Sequence, residues 1–430
     1  MKIHESIATA APEILVPSSA VEKDKWAVVA CDQYTSEPEY WERVEKYVGS
    51  APSTLNLVLP EVYLPRISEE QKEERLKAIK DSIDEYMKTG IFEELPEGFI
   101  LTDRKTSLHE SRKGLILAVD LEQYSFTPGN KELIRATEGT VLERIPPRVK
   151  IRANASIELP HIMLLIDDPE GSVIEEAYDA VKDTAPLYET DLMENSGSIK
   201  GYQIKADSET GKNIISALEG LKAKSSDGLL YLVGDGNHSL ASAKAHWDNV
   251  KKNLSPEEQK TSVARYALAE VVNIHDRGLD FEPIHRVIFD IKPDEFLEEL
   301  GKFLDGRGMT VSDTPKAGAQ SFEIVGLPSK TIVSVDNPPH SLAVGTVQLF
   351  LDSLGREVDY IHGDDTVRNL TGDKNTGVLL PAISKSTFFE TISKEGVFPR
   401  KTFSMGEAFE KRFYFDFSLI SEAYLRILTT

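Results

Sequence analysis

The sequence predicts a mixed α/β (α+β) protein, with a central β-α-β-α segment and additional α+β regions. Two observations predict this class. Consecutive apolar residues at 202–206 and 229–233 are typical of buried strands. Apolar residues then recur at helical spacing over 210–221 and from Leu240 to Val250, directly after those strands. Strands that alternate with helices are the pattern of a sheet covered by helices.

Composition and charge limit the functions that we expect. The chain has 71 acidic and 49 basic side chains among 430 residues, a formal net charge of -22. Such a field repels nucleic acid and anionic membranes, so we expect neither as a partner. The single cysteine, Cys31, excludes an intrachain disulfide and a cysteine zinc cluster. With no signal-peptide core and no stretch of membrane-spanning length, the sequence predicts a cytoplasmic protein.

The length predicts about two or three domains. The pattern changes after residue 290, where a helix at 294–304 and strands near 322–325 and 331–335 follow the central segment. We therefore divide the chain into an N-terminal α/β region at 1–130, a core at 131–290 and a C-terminal α+β region at 291–430.

In the N-terminal region, the apolar stretch Trp26–Tyr34 predicts a strand that ends in polar groups. Functional residues tend to lie where strands end, so Asp32 is a candidate site residue; a simple turn residue is the alternative. Cys31 has no basic neighbour in the sequence that would lower its pKa. We interpret it as a buried, inert thiol.

Two helix starts are marked by capping boxes. Ser68 precedes Gln71 by three residues, and Ser255 precedes Glu258 by the same spacing. After Ser68, apolar residues recur at helical spacing until Gly90, which predicts a long helix.

A basic cluster lies at 135–152 in this acidic chain. Arginine binds phosphate or carboxylate through two parallel hydrogen bonds, so Arg144, Arg148 and Arg152 could form an anion clamp. A basic amphipathic surface beside an acidic domain would use the same residues. The cluster is too short and too poor in aromatic residues to indicate nucleic-acid binding.

A predicted strand from His161 ends at Asp167 and Asp168. Paired carboxylates at a strand end can hold a hard cation such as magnesium. The composition of the following residues is also that of a common turn, and we favour the turn.

The most informative stretch joins the apolar run 229–233 to the helix from Leu240. A helix N-terminus has partial positive charge and free N–H groups, so this strand-turn-helix is a candidate phosphate site. Asp235 and His238 are its ionisable groups, and Asn237 or Ser239 could cap the helix. An ordinary turn that needs these dihedral angles is the alternative, since neither Walker nor dinucleotide glycine spacing is present. The candidate residues of this motif are Gly234, Asp235, Gly236, Asn237, His238 and Ser239.

Two further places carry candidate residues. His285 and Arg286 lie inside an apolar strand, and a buried arginine needs a partner or a ligand. Lys401 lies in a short basic loop at 399–404. The His and Asp residues at 362–365 could form a metal corner, but a strand followed by a polar turn explains them more simply. We read the aromatic run 413–417 as a closing strand.

Together these pieces resemble, across essentially the whole chain, the family called domain of unknown function 1015. The matching pieces are Asp235–His238, the Arg-Ala-Thr-Glu stretch at 135–138, the Val-Asn-Ile-His-Asp segment at 272–276 with Pro283 and His285-Arg286, Tyr360-Ile361-His362, and Lys401-Thr402. The usual family motif, Asp-Gly-His-His-Arg, is similar to the helix-start motif of the ParB and sulfiredoxin superfamily, where it holds nucleotide phosphates. The resemblance implies a ParB/sulfiredoxin-like core. It also implies phosphotransfer, because some superfamily members are kinases for a small hydroxyl substrate such as free serine.

This sequence departs from that motif at two positions. Asn237 and Ser239 stand where the first His and the Arg would be. Phosphate binding would then need Arg144, Arg148 or Arg286 to replace the missing arginine. Asn237 also stands where sulfiredoxin has its reactive cysteine, which excludes sulfiredoxin chemistry.

Three functions follow as hypotheses. The first is a nucleotide-dependent phosphotransferase acting on a small hydroxyl-bearing metabolite, with ATP or ADP and magnesium as expected cofactors. In it, residues 236–239 and the arginines hold phosphates, and Asp235 or Asp32 is the general base or a magnesium ligand. The second is a regulatory protein that binds a nucleotide or metabolite in the same pocket without turnover. The third is a ParB-like nuclease or DNA-binding protein, and the net charge of -22 argues against it.

Overall fold

The structure is a computed structural model that describes residues 1–127, 129–140, 142–153, 155–399 and 401–420. Its contacts group the chain into two units. The first unit comprises Met1–Leu279 and, among the described residues, 407–420; the second comprises Asp280–Gly406. The three regions predicted from the sequence stay a prediction about domain boundaries.

The first unit contains the longer sheet and the larger share of the helices. Its strands are β1 (Lys2–His4), β2 (Thr9–Ala11), β3 (Leu15–Pro17), β4 (Phe92–Glu94), β5 (Gly98–Lys105), β6 (Arg112–Asp120), β7 (Tyr124–Ser125), β8 (Ile134–Ala136), β9 (Ile157–Glu158), β10 (Met163–Ile166), β11 (Tyr188–Asp191), β12 (Ser198–Lys205), β13 (Tyr231–Asp235) and β14 (Tyr266–Asn273). Its helices are α1 (Pro38–Val48), α2 (Glu69–Lys88), α3 (Ile145–Arg152), α4 (Ile174–Val181), α5 (Glu209–Lys224), α6 (Asn237–Val250) and α7 (Pro256–Thr261).

The main sheet of this unit has the strand order β11-β12-β5-β6-β14-β10-β13-β8-β7, and β1 and β2 extend it beside β6. Strands β8 and β13 are parallel, as are β10 and β14, whereas β10 and β13 are antiparallel. The chain segments that follow β8 and β13 therefore leave the sheet at the same edge.

Side chains alternate between the two faces of this sheet, and each face carries its own apolar core. In β5, Phe99 and Leu101 pack into a core with α4, α5 and α6, whereas Ile100 between them packs into a second core with α1 and α2. Trp26 and Trp41 are fully buried in that second core. Helices on both faces of one sheet confirm the mixed α/β class.

The predicted β-α-β-α order is confirmed in sequence, since β12, α5, β13 and α6 follow one another. Its two strands are not neighbours in the sheet, because β5, β6, β14 and β10 lie between them. Strand β12 instead pairs antiparallel with β11, which precedes it in the chain, and with β5.

The capping boxes are confirmed. The Ser68 hydroxyl accepts from the Gln71 N–H while the Gln71 side chain accepts from the Ser68 N–H, and Ser255 and Glu258 repeat the arrangement at α7. Both signals depend only on neighbouring residues.

Two strand predictions are wrong. Residues 26–34 make only an isolated bridge at Val29, because Val28 N–H donates to the Thr54 hydroxyl and Ala30 N–H to the Arg412 carbonyl. The aromatic run 413–417 makes bridges to two separate segments rather than a ladder. Only Ser418–Leu419, strand β22, pairs regularly, with β9.

Two buried arginines fix this C-terminal segment to the main sheet. Arg104 donates to the Phe409 carbonyl at 2.8 Å, and Arg112 donates to the Glu410 carbonyl at 2.9 Å. The last described residues are therefore part of the first unit, although about 130 residues of the second unit separate them from it in sequence.

The second unit is an antiparallel sheet packed with helices. Its strands are β15 (Phe281–Ile288), β16 (Met309–Ser312), β17 (Gln320–Val325), β18 (Thr331–Val335), β19 (Val358–His362), β20 (Thr376–Leu379) and β21 (Phe403–Met405). Its helices are α8 (Pro293–Phe303), α9 (Ala343–Leu354), α10 (Asp364–Leu370) and α11 (Lys385–Glu395). The strand order is β16-β18-β17-β20-β15-β19, and Phe296 and Phe350 pack edge to face in its core.

Across the described ranges, each helix is either too short or too polar to span a bilayer.

Candidate functional site

The predicted motif forms a strand-turn-helix between β13 and α6. Gly236 is the residue before the helix, with φ of +81°, in the left-handed region that glycine tolerates. Asn237 and Ser239 were expected to cap the helix, and this is wrong: within the described residues, no side chain caps it. The start of α6 carries the partial positive charge of a helix N-terminus, which favours an anion.

Gly236 also allows the turn to pack tightly on the start of β10. A Cβ atom at this position would lie 3.0 Å from Ile162 Cα and 3.1 Å from the His161 carbonyl oxygen. At such short distances the neighbouring atoms would have to move by a few tenths of an ångström. Here those atoms belong to the backbone, which cannot move as easily as the end of a side chain. The glycine therefore places His161 directly beside the motif.

A cavity of about 520 Å³ lies against the first two turns of α6. Ser239 and Ser242 reach it from α6, Arg148 and Arg152 from α3, and His161 from the start of β10. This volume is within the range of small-molecule sites, roughly 300–1,000 Å³. Part of the cavity lining is therefore polar and includes two arginines.

Another part of the lining is largely apolar. Leu76, Ile79 and Ile83 form one stripe of α2, and Leu57 and Val58 come from the turn that precedes it. A cavity lined partly by polar and partly by apolar side chains suits a ligand that has an anionic end and a carbon or ring portion.

Both arginines are paired with glutamates that also line the cavity. Arg148 pairs with Glu61, and Arg152 pairs with Glu158. The Arg152 Nε atom is buried and, among the described residues, has no hydrogen-bond partner. Burial, with a smaller contribution from Arg152, lowers the pKa of nearby His246 to about 4, so this histidine is neutral at pH 7.

His161, Asp32 and Tyr414 form a polar cluster at the cavity. His161 Nδ1 lies 3.0 Å from the Tyr414 hydroxyl, and His161 Nε2 lies 3.8 Å from the Asp32 carboxylate. Burial opposes ionisation of Asp32, but His161, Gln33 and Arg148 together hold the pKa of this carboxyl below its usual value. Asp32 is therefore an anion at pH 7.

Cys31 lines the cavity and is partly exposed rather than buried. Desolvation and the neighbouring Asp32 raise the pKa of its thiol to about 12. This direction favours the thiol over the reactive thiolate at neutral pH, in agreement with the interpretation of an inert thiol.

The structure brings some of the predicted site residues together. Ser239 and Arg148 line one cavity, and Asp32 lies beside it through His161. Asp235 instead accepts from the Gly236 N–H at 2.8 Å and forms an ion pair with Lys411 at 3.1 Å. The motif residues Gly234, Asn237 and His238 belong to the same turn and helix start, and the Arg144 side chain lies outside the described residues.

The sequence analysis did not single out several residues of the site, among them His161, Lys411, Tyr414 and the glutamates Glu61 and Glu158. His161 opens the strand whose far end, Asp167 and Asp168, drew attention instead. A histidine at the start of a predicted strand, together with a glycine-rich turn elsewhere in the sequence, is the pattern that could have indicated it. However, no neighbouring residues show that His161 and the turn are in contact. Lys411 and Tyr414 lie in the segment read as a closing strand.

The turn interpretation of Asp168 is confirmed. Its carboxylate accepts from the Ser172 hydroxyl at 3.1 Å and from the Val173 N–H at 2.8 Å, just before α4. In the described part of the chain, no group of three or more His, Cys, Asp and Glu side chains is arranged to hold a metal ion.

The remaining candidates, His285, Arg286 and Lys401, belong to the second unit. His285 is buried, its Nδ1 accepts from the Leu380 N–H at 3.0 Å, and its Nε2 lies 2.8 Å from Asp364. Arg286 is fully buried, donates to the Ile284 carbonyl at 2.6 Å and lies 4.5 Å from the Tyr360 ring centroid. Lys401 has φ of +58°. Their role in ligand binding stays a prediction.

The fold and the site together define a mixed α/β protein with a large cavity at a strand-turn-helix motif, the kind of place where small molecules bind. The chain belongs to the family described as "Protein of unknown function (DUF1015)", whose model matches residues 15–354.

Among curated proteins, no match is found. Among solved structures, a free serine kinase variant in complex with AMP is similar, with a TM-score of 0.39, 14% identity, and coverage of 71% of this chain and 93% of that chain. SbnI with a C-terminal truncation, from Staphylococcus aureus, has a TM-score of 0.38 and 12% identity, covering 70% of this chain and 85% of that chain. A conserved hypothetical protein from Pyrococcus furiosus has a TM-score of 0.34 and 13% identity, covering 72% and 97%. At these scores, the function of this chain has to be argued from its own residues.

Proposed function

We propose that the chain is a nucleotide-dependent phosphotransferase that acts on the hydroxyl group of a small metabolite in the cavity at α6. The observation that carries the proposal is that Ser239 of the motif, Arg148 of the basic cluster and His161 line one cavity. Two stretches that the sequence marks separately as anion sites thus contribute to the same cavity.

The polar part of the lining has the chemistry of a phosphate site. Guanidinium groups bind phosphate oxygens in pairs, and the N-terminal end of α6 favours an anion through the helix dipole. Glu61 and Glu158 pair with the two arginines. To bind the arginines, a phosphate would therefore have to displace these carboxylates.

The apolar part of the lining supports a ligand larger than inorganic phosphate. Leu76, Ile79 and Ile83 offer aliphatic side chains that can pack against a nucleobase or against the carbon skeleton of the acceptor. Burying such a group contributes roughly 25 cal/mol per Å² of apolar surface removed from water.

Magnesium fits this proposal through the nucleotide. Mg²⁺ is usually held by one or two carboxylates together with substrate phosphates. Asp32 is ionised, and Asp235 forms an ion pair with Lys411. The charge of Lys411 also helps to lower the pKa of Asp32. These two carboxylates would supply the protein's ligands, and the metal would neutralise charge on the phosphates.

Binding of a nucleotide or metabolite without turnover is the second candidate. The observation that favours it is the ion pair of Asp235 with Lys411, which leaves that carboxylate engaged rather than poised for proton transfer. In this case nucleotides would bind, and no phosphoryl group would move.

The test combines binding and turnover. Purified chain is titrated calorimetrically with ATP, ADP and pyrophosphate, with and without magnesium, and nucleotide consumption is followed with a panel of small hydroxyl-bearing metabolites. Replacing Arg148 by Gln should weaken nucleotide binding about 10- to 100-fold, because a hydrogen bond to a charged group is worth roughly 1.5–3 kcal/mol.

The matched control is Arg43→Gln, which removes a surface arginine paired with Glu194. It should leave the nucleotide affinity unchanged. Equal losses in both variants, or no nucleotide binding by the wild type, would rule out the proposed phosphate site. Binding without consumption of nucleotide would favour the second candidate.

A further inference from the structure

The aliphatic side chains of the cavity lining are not all used for core packing. Within one stripe of α2, Ile83 is 3% exposed, whereas Ile79 and Leu76, one and two turns earlier, are only partly buried and line the cavity. Leu64, which precedes this helix, is 39% exposed and lines the cavity as well. A molecule in the cavity can therefore reach these side chains.

The partly exposed apolar lining is aliphatic rather than aromatic. Val58, Leu59 and Leu159 extend the partly buried aliphatic set. The rings in the described part of the lining belong to Tyr414 and His161, which are 1% and 9% exposed. An aromatic ligand gains most from an accessible ring on which it can stack, whereas a saturated chain gains from contact with any aliphatic group. This lining therefore suits a saturated carbon chain better than an aromatic ring.

Ser239 supplies a polar group for the other end of such a ligand. It lies in the first turn of α6, is partly exposed and lines the cavity, and its hydroxyl makes no hydrogen bond to another residue in the described part of the chain. A serine hydroxyl can both donate to and accept from a ligand hydroxyl.

The charges of the lining suit an uncharged head group. Three basic and three acidic side chains line the cavity: Lys72, Arg148, Arg152, Glu61, Glu143 and Glu158. Both arginines are paired with glutamates. A hydroxyl group carries no charge, so it can enter this lining without displacing an ion pair.

We propose that the acceptor is an alcohol with a saturated carbon chain, an inference that rests on the proposed function and names its substrate class. The chain packs on the partly exposed aliphatic side chains, and the hydroxyl group lies at Ser239. In the transfer, the acceptor oxygen forms a bond to the terminal phosphorus of the nucleoside triphosphate, and the bond from that phosphorus to the bridging oxygen breaks. The nucleoside diphosphate leaves with the electron pair, and the acceptor proton passes to solvent. The other product is an alkyl phosphate.

A homologous series of probes tests the carbon chain. Straight-chain primary alcohols from butanol to decanol are titrated calorimetrically into the full chain and are offered as acceptors with ATP and magnesium; glycerol is the short polar comparison. Each added methylene should raise the affinity about fourfold, the effect of burying one such group, until the cavity is filled. The kcat/KM for nucleotide consumption should rise in parallel.

Leu76→Asn tests where the chain binds. The variant replaces an aliphatic contact at a partly exposed position of α2, so the affinity for octanol should fall about tenfold, while the nucleotide affinity should stay within a few-fold. Leu76→Met, which keeps the apolar volume, should retain the octanol affinity. The matched control is Leu349→Asn, which alters a leucine of α9 that is 45% exposed and should change neither affinity.

The outcomes separate this inference from the proposed function. Affinities and rates that do not change with chain length, in a protein that consumes nucleotide with glycerol, would overturn the inference and leave phosphotransfer standing. Consumption of no nucleotide with any acceptor would overturn both. If Leu76→Asn does not fold, Ile79→Asn decides, and an unaltered dependence on chain length in that variant would refute the assignment.

Discussion

His161 and His285 are both buried histidines in predominantly apolar sequence, yet their surroundings differ in one decisive respect. His285 has both ring nitrogens engaged, by the Leu380 N–H and by Asp364. His161 has one nitrogen engaged by Tyr414, whereas its other nitrogen is buried 3.8 Å from the Asp32 carboxylate and has no hydrogen-bond partner among the described residues. The first arrangement stabilises the fold of the second unit, and the second leaves one ring nitrogen without a hydrogen bond in the described structure. Burial alone does not separate the two; the count of satisfied nitrogens does.

The largest effect should come from removing the satisfied histidine. His285→Ala leaves the Leu380 N–H without its acceptor and opens a hole in the second unit, so the free energy of unfolding should fall by about 2–4 kcal/mol. Nucleotide affinity of the folded variant should not change. Urea denaturation gives the first quantity and calorimetry the second. A fully stable His285→Ala chain would break the comparison.

The second effect tests whether the Gly236 turn determines the position of His161. Gly236→Ala forces a side chain into the left-handed region and against the Ile162 backbone at 3.0 Å. The strain of the left-handed conformation alone is about 1–2 kcal/mol, and nucleotide binding should be lost with the displaced turn. Gly220→Ala is the control, because that glycine lies inside α5 with open space around its Cβ position. The control should be neutral or slightly stabilising in thermal unfolding, and a Gly236→Ala chain that behaves like it would contradict the packing argument.

The pH dependence of the free energy of unfolding should report on the buried ring of His285. Burial, partly offset by Asp364, lowers the pKa of His285. The unfolded chain, with a pKa near 6.5, therefore binds a proton before the folded chain does, and this term loses stability as the pH falls below about 6.5. The loss is at most about 1.4 kcal/mol per pH unit. Consequently, the stability deficit of His285→Gln relative to the wild type should shrink between pH 7 and pH 5; a constant deficit would show that His285 does not titrate as expected.

The smallest effect concerns the ion pairs at the cavity. Glu61→Gln removes the charge that competes with an anionic ligand for Arg148, so nucleotide affinity should rise about two- to fivefold, roughly 0.5–1 kcal/mol. Asp364→Asn, which alters an acidic partner in the second unit, should leave the affinity as it is. Isothermal titration of both variants distinguishes them, and a weakened Glu61→Gln complex would mean that the carboxylate contacts the ligand itself.

The parts of this structure that were predictable depend on neighbouring residues. The capping boxes at Ser68 and Ser255, and the strand, turn and helix around Gly236, are all specified within a few positions. Local signals of this kind need no knowledge of the rest of the chain.

The parts that failed depend on distant residues. The stretch 26–34 has the composition of a strand, but its backbone bonds to Thr54 and to Arg412, which no local pattern reveals. His161 escaped notice for the same reason, since its importance comes from packing on Gly236 and from Tyr414, 253 positions later. The candidate anion residues Ser239 and Arg148 were found separately, and only the fold placed them in one cavity.

The return of the chain to the first unit has a consequence for how the protein is made. Tyr414 and Ile420 line the cavity, yet the ribosome must first synthesise the second unit. At about 5–20 residues per second, its roughly 130 residues take on the order of 10 s. Through that interval Arg104 and Arg112 lack the carbonyls of Phe409 and Glu410, and His161 lacks Tyr414. All strands of the main sheet are therefore synthesised before the second unit, whereas the cavity gains its final lining only after translation has passed that unit.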